Sequence, residues 1–455
     1  MKILIASTPA EGHLNPLLGI TRVLLAEGHE IAFFTGSVFR HRIESSGMKF
    51  ISLPASADFD LRELLSVAPE LKDIPAGPEW LRVCVRRVFI DPMAAQHQGL
   101  LQAIRESPVD MVLCDDTFLG ALPMLLGAGS KRPSIVVCGT TFLRLPREDG
   151  APNFLGLPPA TTEEQRQQYA AMARQVDEAV NQPNLLCVNE TLNTLGVGTL
   201  PIPASQAIIK LADAYLQLSV PSFEFPRKLP PTVHFVGTPP IVPNQAPVPS
   251  WAADLDGKRK VVLVTQGTVA NHNFGLLVAP TLAALADEPD LLVVVTTGGR
   301  PVDAIPGPIP SNARVSTYLP FEWILKKTDV FVTNGGYGSV NQAMSFGIPI
   351  VSAGLTEDKA DVNARIAWSG VGINLATNQP DPRVLREAVR TVLEKPGYRT
   401  RAASMADEFA GLDTRSEILS IIRRLVADRK ATVDFAKKDS EYTRNEPPPS
   451  LARML

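Results

Sequence analysis

No window of this 455-residue chain approaches the eighteen or so consecutive apolar residues that a membrane-spanning helix needs. Lys2 leads straight into Ile3-Leu4-Ile5-Ala6, a run too brief for the core of a secretory signal. A membrane span is therefore not expected. Cysteine is scarce: Cys84, Cys114, Cys138 and Cys187 show neither close pairing nor metal-ligand spacing. That excludes a disulfide framework and points to thiols kept in a reducing, cytoplasmic compartment. Charge of one sign is not in excess either. A formal net charge of −3 with scattered basic residues gives no electrostatic reason to expect nucleic acid or an anionic membrane as partner. The G-x-G-x-x-G fingerprint of dinucleotide enzymes is missing as well. The first turn reads Ser7-Thr8-Pro9-Ala10-Glu11-Gly12, and the run Glu30 to Thr35 ends Phe33-Phe34-Thr35, without a carboxylate for a ribose. A dinucleotide-dependent oxidoreductase is disfavoured on both counts.

Short apolar runs alternate with segments of helical period, the pattern of parallel sheets covered by helices, and it occurs twice. Strands are expected at Lys2 to Ala6, Glu30 to Phe34, Lys49 to Leu53, Val109 to Cys114 and Ser134 to Cys138. A second set covers Lys260 to Thr265, Leu291 to Thr296, Arg314 to Thr317, Val330 to Thr333 and Ile348 to Ser352. The chain is too long for one ordinary core. Five prolines between Thr238 and Ser250 mark the break. The expected organisation is an amino-terminal domain over 1–237, a linker over 238–258, a carboxy-terminal domain over 259–429 with its last helix from Ser416 to Arg429, and a polar tail over 430–455.

Doubly wound sheets place ligands at the carboxyl ends of their strands, so the loops there carry the functional argument. After the strand ending at Thr333 comes Asn334-Gly335-Gly336-Tyr337-Gly338-Ser339, with three glycines in four residues and a helix behind them. Glycine lets backbone N–H groups approach a ligand closely, and at a helix amino terminus those donors suit a diphosphate. His13 follows the first strand, within Gly12-His13-Leu14-Asn15-Pro16, in a loop that opens the first helix. Asp115-Asp116-Thr117-Phe118 follows the fourth, and a carboxylate there can hold a histidine in one tautomer and stabilise its protonated form. Asp254-Leu255-Asp256 has the spacing of a metal-binding pair but falls at the edge of the linker, where it reads as a solvated turn.

Together these segments resemble the nucleotide-sugar-dependent glycosyltransferases of family one, the group of plant small-molecule, bacterial macrolide and glucuronosyl transferases. The resemblance covers nearly the whole chain. It implies the α/β GT-B fold, two Rossmann-like doubly wound domains facing across a cleft, and an inverting, metal-independent transfer. His13 matches the family's general base and Asp116 its partner, preferred over Asp115 because of the Phe two places on. Gly12, Thr268, Tyr318, Leu319, Asn334, Gly335, Gly336, Gly338, Ser339, Gln342, Asp358 and Lys359 match positions that hold the nucleotide sugar. Three of these depart from the family: Asn334 replaces a diphosphate-binding histidine, Gln342 a ribose-binding glutamate, and Lys359 the glutamine of an Asp-Gln pair. The irregular stretches Asp58 to Val88 and Thr141 to Pro159 would wall the acceptor site, with Phe118, Phe142 and Leu143 making its entrance apolar. The resemblance implies no cofactor beyond the nucleotide sugar as co-substrate, a UDP-sugar with glucose favoured. It implies as acceptor a hydrophobic small molecule with a hydroxyl, a phenolic, polyketide or terpenoid/steroid. The competing reading is a catalytically silent homologue that activates another enzyme; the presence of both His13 and Asp116 argues against it.

Overall fold

The computed structural model describes residues 1–75, 77–127, 132–242, 246–268 and 270–442, with 429–442 given as backbone alone. Strands β1 (Lys2–Ala6), β2 (Glu30–Thr35), β3 (Lys49–Ser52), β4 (Met111–Asp115), β5 (Ser134–Gly139), β6 (Ala214–Gln217) and β7 (Val233–Phe235) form one sheet in the order β3-β2-β1-β4-β5-β6-β7. Strands β8 (Lys260–Thr265), β9 (Leu291–Thr296), β10 (Ala313–Ser316), β11 (Val330–Thr333), β12 (Ile350–Ser352) and β13 (Gly372–Asn374) form a second, in the order β10-β9-β8-β11-β12-β13. Neighbouring strands are parallel throughout, from β1 on β2 and β4 to β8 on β9 and β11. This is the expected α/β architecture of two doubly wound sheets.

The strand sequences explain the layering. A parallel sheet is covered on both faces, so the centres of its strands read as near-continuous apolar runs whose successive side chains enter opposite cores. In β1, Leu4 and Ala6 join one core with Val112 and Cys114 of β4, while Ile3 and Ile5 join the other with Met111 and Leu113. The second sheet repeats the division, with Val261 and Leu263 on one face and Val262 and Val264 on the other. The first crossover helix, Glu11–Ala26, is closed by Gly28 at φ 75°, and the His29 N–H reaches back to the Leu24 carbonyl at 3.2 Å.

Strand order reverses between β1 and β4 in the first sheet and between β8 and β11 in the second. These are the two topological switch points, where a crevice opens outside the strand ends. His13 follows β1 and Asp115 ends β4; Thr268 and the glycine-rich segment follow β8 and β11. The geometry of a doubly wound sheet thus selects the loops singled out above.

Two features of the expected organisation differ. The prolines after residue 237 lie against the first helix: a Cβ on Gly19 would meet Pro239 and Pro240 at 2.9 Å, and Arg22 Nη1 donates to the Ile241 carbonyl at 2.9 Å. Residues 243–245 of that stretch lie outside the described residues. The last helix runs from Thr414 to Tyr442 rather than stopping at Arg429, and residues 443–455 of the expected tail lie outside the described residues. Its buried residues Ile418, Leu419, Ile421 and Ile422 pack with Ile3, Leu17 and Met111 under the first sheet. The chain therefore crosses back to the amino-terminal half after completing the second sheet. Ile422→Ala is expected to destabilise the protein by about 2–5 kcal/mol, as for any large-to-small change in a close-packed core. A denaturant midpoint equal to the parent's would place this helix away from the first sheet.

Candidate active site

His13 lies in the first turn of the helix Glu11–Ala26 rather than in the preceding loop; its N–H reaches the Ala10 carbonyl at 3.1 Å. The Asp115 carboxylate is wholly buried and is held by the backbone N–H groups of Thr8 at 2.7 Å and Thr117 at 2.9 Å and by the Thr117 hydroxyl at 2.5 Å. Its Oδ1 stands 3.2 Å from His13 Nδ1. Asp116 faces elsewhere. Its Oδ1 accepts from the Thr140 hydroxyl at 2.8 Å, and its Oδ2 from Arg144 Nη2 at 2.7 Å and the Tyr215 hydroxyl at 3.3 Å. The carboxylate beside the imidazole is thus Asp115 where the sequence pattern favoured Asp116. Consecutive side chains at a strand end diverge, and a spacing argument does not resolve which of the two turns inward.

The hydroxyls around the ring fix its tautomer. Thr140 Oγ1 is 3.0 Å and Thr117 Oγ1 3.2 Å from His13 Nδ1, and each gives its single proton to a carboxylate, Asp116 and Asp115 respectively. Nδ1 meets only acceptors and must carry the hydrogen, which leaves Nε2 as the basic nitrogen. Burial is the largest influence on this imidazole and disfavours its charge. The field and hydrogen bond of Asp115, with the field of Asp116, outweigh burial and the opposing Arg144, so its pKa is held above 6.5. Burial also works against the Asp115 anion, but the His13 charge and the surrounding hydrogen bonds prevail and keep it below its ordinary value. His13, Asp115 and Asp116 lie within 4.8 Å of one another. With Arg144 on Asp116 and hydroxyls filling the remaining positions, their arrangement is that of a proton acceptor with its orienting groups.

Across the cleft, β11 runs into Asn334, Gly335 and Gly336, and Gly336 begins the helix Tyr337–Ser345 with no side chain capping it. The first-turn N–H groups of that helix have no capping side chain, and Gly338 among them is exposed with open space where a Cβ would stand. Gly335 is at φ 100°, and a Cβ there would run into the Asn363 amide. Ser339 Oγ donates back to the Gly336 carbonyl at 2.9 Å. The Asn334 side chain is turned inward and ties the loop to the end of β8, its Nδ2 donating to the Gln266 carbonyl at 2.8 Å. Asn363 Nδ2 in turn donates to the Asn334 and Gly354 carbonyls at 3.2 and 2.9 Å. Gly12 and Thr268 are exposed, and Gln342 is half-buried on the helix. Tyr318 is 48% exposed, its hydroxyl packed against Gly299, as a face for a flat ring requires. The Leu319 side chain, by contrast, belongs to the core of the second sheet.

Asp358 and Lys359 start the helix Lys359–Ser369. The Thr141 hydroxyl, from the amino-terminal half, donates to Asp358 Oδ2 at 2.6 Å, while burial raises this carboxyl's pKa. Burial pulls the Lys359 ammonium down to about 8, and it pairs with Glu357, a non-glycine residue at φ 52°. Thr140 therefore touches His13 and Thr141 touches Asp358, so the two halves of the site meet at consecutive residues. The expected acceptor wall needs correction. Phe118 is buried edge-on to Phe34 at 6.0 Å, Phe142 lies under the Arg365 guanidinium at 4.4 Å, and Leu143 is buried in the core of the first sheet. None of the three faces an opening. Phe89, half-buried in the π-turn Arg86–Ile90 and with its ring 6.4 Å from that of His13, is an apolar group beside the imidazole. Thr141 and Arg144 fall in the stretch Thr141 to Pro159 expected as an acceptor wall, but their contacts to Asp358 and Asp116, and Thr140 itself, are not legible from sequence, although the rule that loops after strands carry function points to the segment after β5.

Residues 281–425 match the family model described as the Erythromycin biosynthesis protein CIII-like, C-terminal domain. The 4'-demethylrebeccamycin synthase of Lentzea aerocolonigenes is 36% identical over 430 residues, 93% of this chain and 99% of that protein. UDP-glycosyltransferase 2 of Phaeomoniella chlamydospora is 36% identical over 441 residues, 93% of this chain and 96% of its own length. Among solved structures, the calicheamicin glycosyltransferase CalG4 superposes with a TM-score of 0.69 at 19% identity, covering 94% of this chain and 98% of its own. That last likeness carries the fold, which is GT-B. With relatives this similar over nearly their full lengths, the chain belongs to the family-one glycosyltransferases, the macrolide and small-molecule group.

Proposed function

We propose that the protein is an inverting glycosyltransferase that moves a sugar, glucose by preference, from a UDP-sugar to a hydroxyl of a hydrophobic small molecule. The observation that carries this reading is the pairing across one cleft of a histidine with a fixed tautomer and a helix amino terminus that no side chain caps. His13 Nε2 would take the acceptor proton as the oxygen attacks the anomeric carbon from the face opposite the nucleotide. Asp115 would stabilise the imidazolium that results. The C–O bond to the diphosphate breaks in the same step, and the departing charge develops at the first-turn N–H groups of Tyr337–Ser345. That placement supports a transfer without a metal ion. Relatives named UDP-glucosyltransferase B1, 32% identical in Starmerella bombicola, and UDP-glycosyltransferase 2 favour the uridine nucleotide. Phe89 beside the base favours an apolar acceptor, a phenolic, polyketide or terpenoid/steroid. The intact environment of His13 disfavours a silent activating partner. No helix among the described residues is long and apolar enough to cross a membrane, and free cysteines at 84, 114, 138 and 187 support a cytoplasmic setting.

In a thermal-shift panel of UDP, dTDP and their glucose conjugates, UDP and UDP-glucose are expected to give the largest stabilisation; a larger shift with dTDP would reassign the donor. His13→Ala is expected to lower transfer to alcohols by roughly a hundred- to ten-thousandfold while nucleotide binding persists. Transfer at the parent rate would remove His13 from the chemistry. The pH dependence follows from the raised pKa of His13: the base is neutral only above it, so kcat/KM should fall toward acid pH with a midpoint above 6.5. Asp115→Asn removes the anion that raises this value, and the midpoint should move down. The same midpoint in Asp115→Asn would show that another group governs the profile.

A further inference from the structure

The segment between β5 and the helix Glu163–Val176 touches both halves of the cleft. At its start, Thr140 accepts the His13 Nδ1 hydrogen and donates to Asp116, and Arg144 holds Asp116 from the far side. Between these two residues lie Phe142 and Leu143, and both are fastened to charges buried beneath them. The Leu143 N–H donates to Glu224 Oε2 at 3.0 Å, and Arg365 reaches Glu224 Oε1 through Nη2 at 2.6 Å and Nε at 3.1 Å. The Arg365 guanidinium is wholly buried between the rings of Phe142 at 4.4 Å and Phe225 at 4.1 Å. Farther along, the Gly156 N–H donates to Asp361 Oδ2 at 3.1 Å, on the helix that carries Arg365.

Arg365 belongs to the helix that begins at Asp358 and Lys359, the side facing the proposed donor sugar, whereas Glu224 and Leu143 belong to the acceptor half. One guanidinium thus joins the donor half to a strap whose next residues fix the proton-accepting ring. We infer that Arg365 is a positioning residue for the base: the docked pose it secures through Glu224 sets the strap so that Thr140 and Arg144 hold His13 and Asp116 in register. The inference rests on the reading of His13 as the base. It adds that acceptor deprotonation depends on the donor half being seated against the strap. The groups facing His13 are Asp115 and Asp116 from the end of β4, Arg144 and the Thr140 hydroxyl from the strap, Thr117, Phe89 and, from the donor half, Asp358. Three of these, Thr140, Arg144 and Asp358, move relative to the ring when the strap or the donor half shifts.

The test compares the full-length parent with Arg365→Met in steady-state kinetics over a pH series, using UDP-glucose and an alcohol acceptor. The expected result is a fall in kcat of about tenfold or more, a smaller change in donor KM, and an acidic midpoint displaced by about half a pH unit or more. A folded variant whose midpoint equals the parent's, whatever its rate, overturns the inference and leaves Arg365 a packing residue. Where Arg365→Met does not fold, Glu224→Gln serves in its place. It removes the charge while keeping an acceptor for the Leu143 N–H, and it is subject to the same two outcomes. His13→Ala separates the two claims. If it transfers at the parent rate the base assignment fails, and if it is inactive while the Arg365 or Glu224 variant keeps the parent's midpoint, this inference alone fails.

Discussion

A guanidinium removed from water carries a penalty of several kcal/mol unless charge and hydrogen bonds compensate it, and Arg365 finds its compensation largely across the domain boundary. Glu224 faces two arginines, Arg365 and Arg227, and accepts the Leu143 and Phe225 N–H groups, so every side of this carboxylate is engaged. Burial opposes its charge, yet the two guanidinium groups keep its pKa below the usual range. Such a cluster adds little net stability over an apolar replacement, but it tolerates few geometries. It defines how the halves meet, while apolar contact supplies the driving force: Phe142, Val220 and Phe223 of the first half enter the core under the second sheet, and the last helix returns the favour to the first.

The same docking explains why two carboxylates adjacent in sequence behave differently. Asp116 is met by Arg144, Thr140 and Tyr215, and it acts on the histidine through its field alone, without a direct hydrogen bond. Among the described residues Asp115 has backbone and hydroxyl donors besides His13, and the imidazole is its one partner that can carry positive charge. One carboxylate therefore bears directly on the imidazole, while the other adds a weaker field and fixes the strap. Their exchange of roles would need the strap to leave, since Arg144 and Thr140 both belong to it.

Much of this was legible from sequence because it depends on local pattern. Unbroken apolar runs such as those in β1, β8, β9 and β11 announce themselves, since a strand buried on both faces has little else at its centre. The strands β6, β7 and β13 are three or four residues long and interrupt their apolar runs with Gln217, His234 and Asn374, so they are fixed by pairing with neighbours already in place. The glycine cradle was legible because positive φ and close approach restrict residue type, as Gly335 against Asn363 illustrates. Side-chain direction was not. Phe118, Phe142 and Leu143 were assigned to an entrance by composition, and what turned them inward is tertiary: Phe34, Arg365 and the first sheet's core, each distant in sequence. The strap was legible only as an irregular stretch, Thr141 to Pro159, because Thr140, Thr141 and Arg144 acquire their roles from partners on other elements.

The departures in the donor loop now have a physical interpretation. Asn334 does not simply offer a weaker hydrogen bond where the family resemblance implies a histidine; its amide closes the β8 and β11 loops on each other through the Gln266 carbonyl. A diphosphate in this cleft would then be held chiefly by backbone N–H groups, donors that lose no side-chain entropy on binding and act at the positive end of a helix. Lys359 likewise does not present a free cation, for Glu357 neutralises it within the same turn and burial weakens its hold on the proton. A sugar meeting that pair would encounter one donor group and one acceptor group side by side. Neutral hydroxyls satisfy such a pair without leaving a buried charge uncompensated, which is why the lysine is compatible with a neutral hexose.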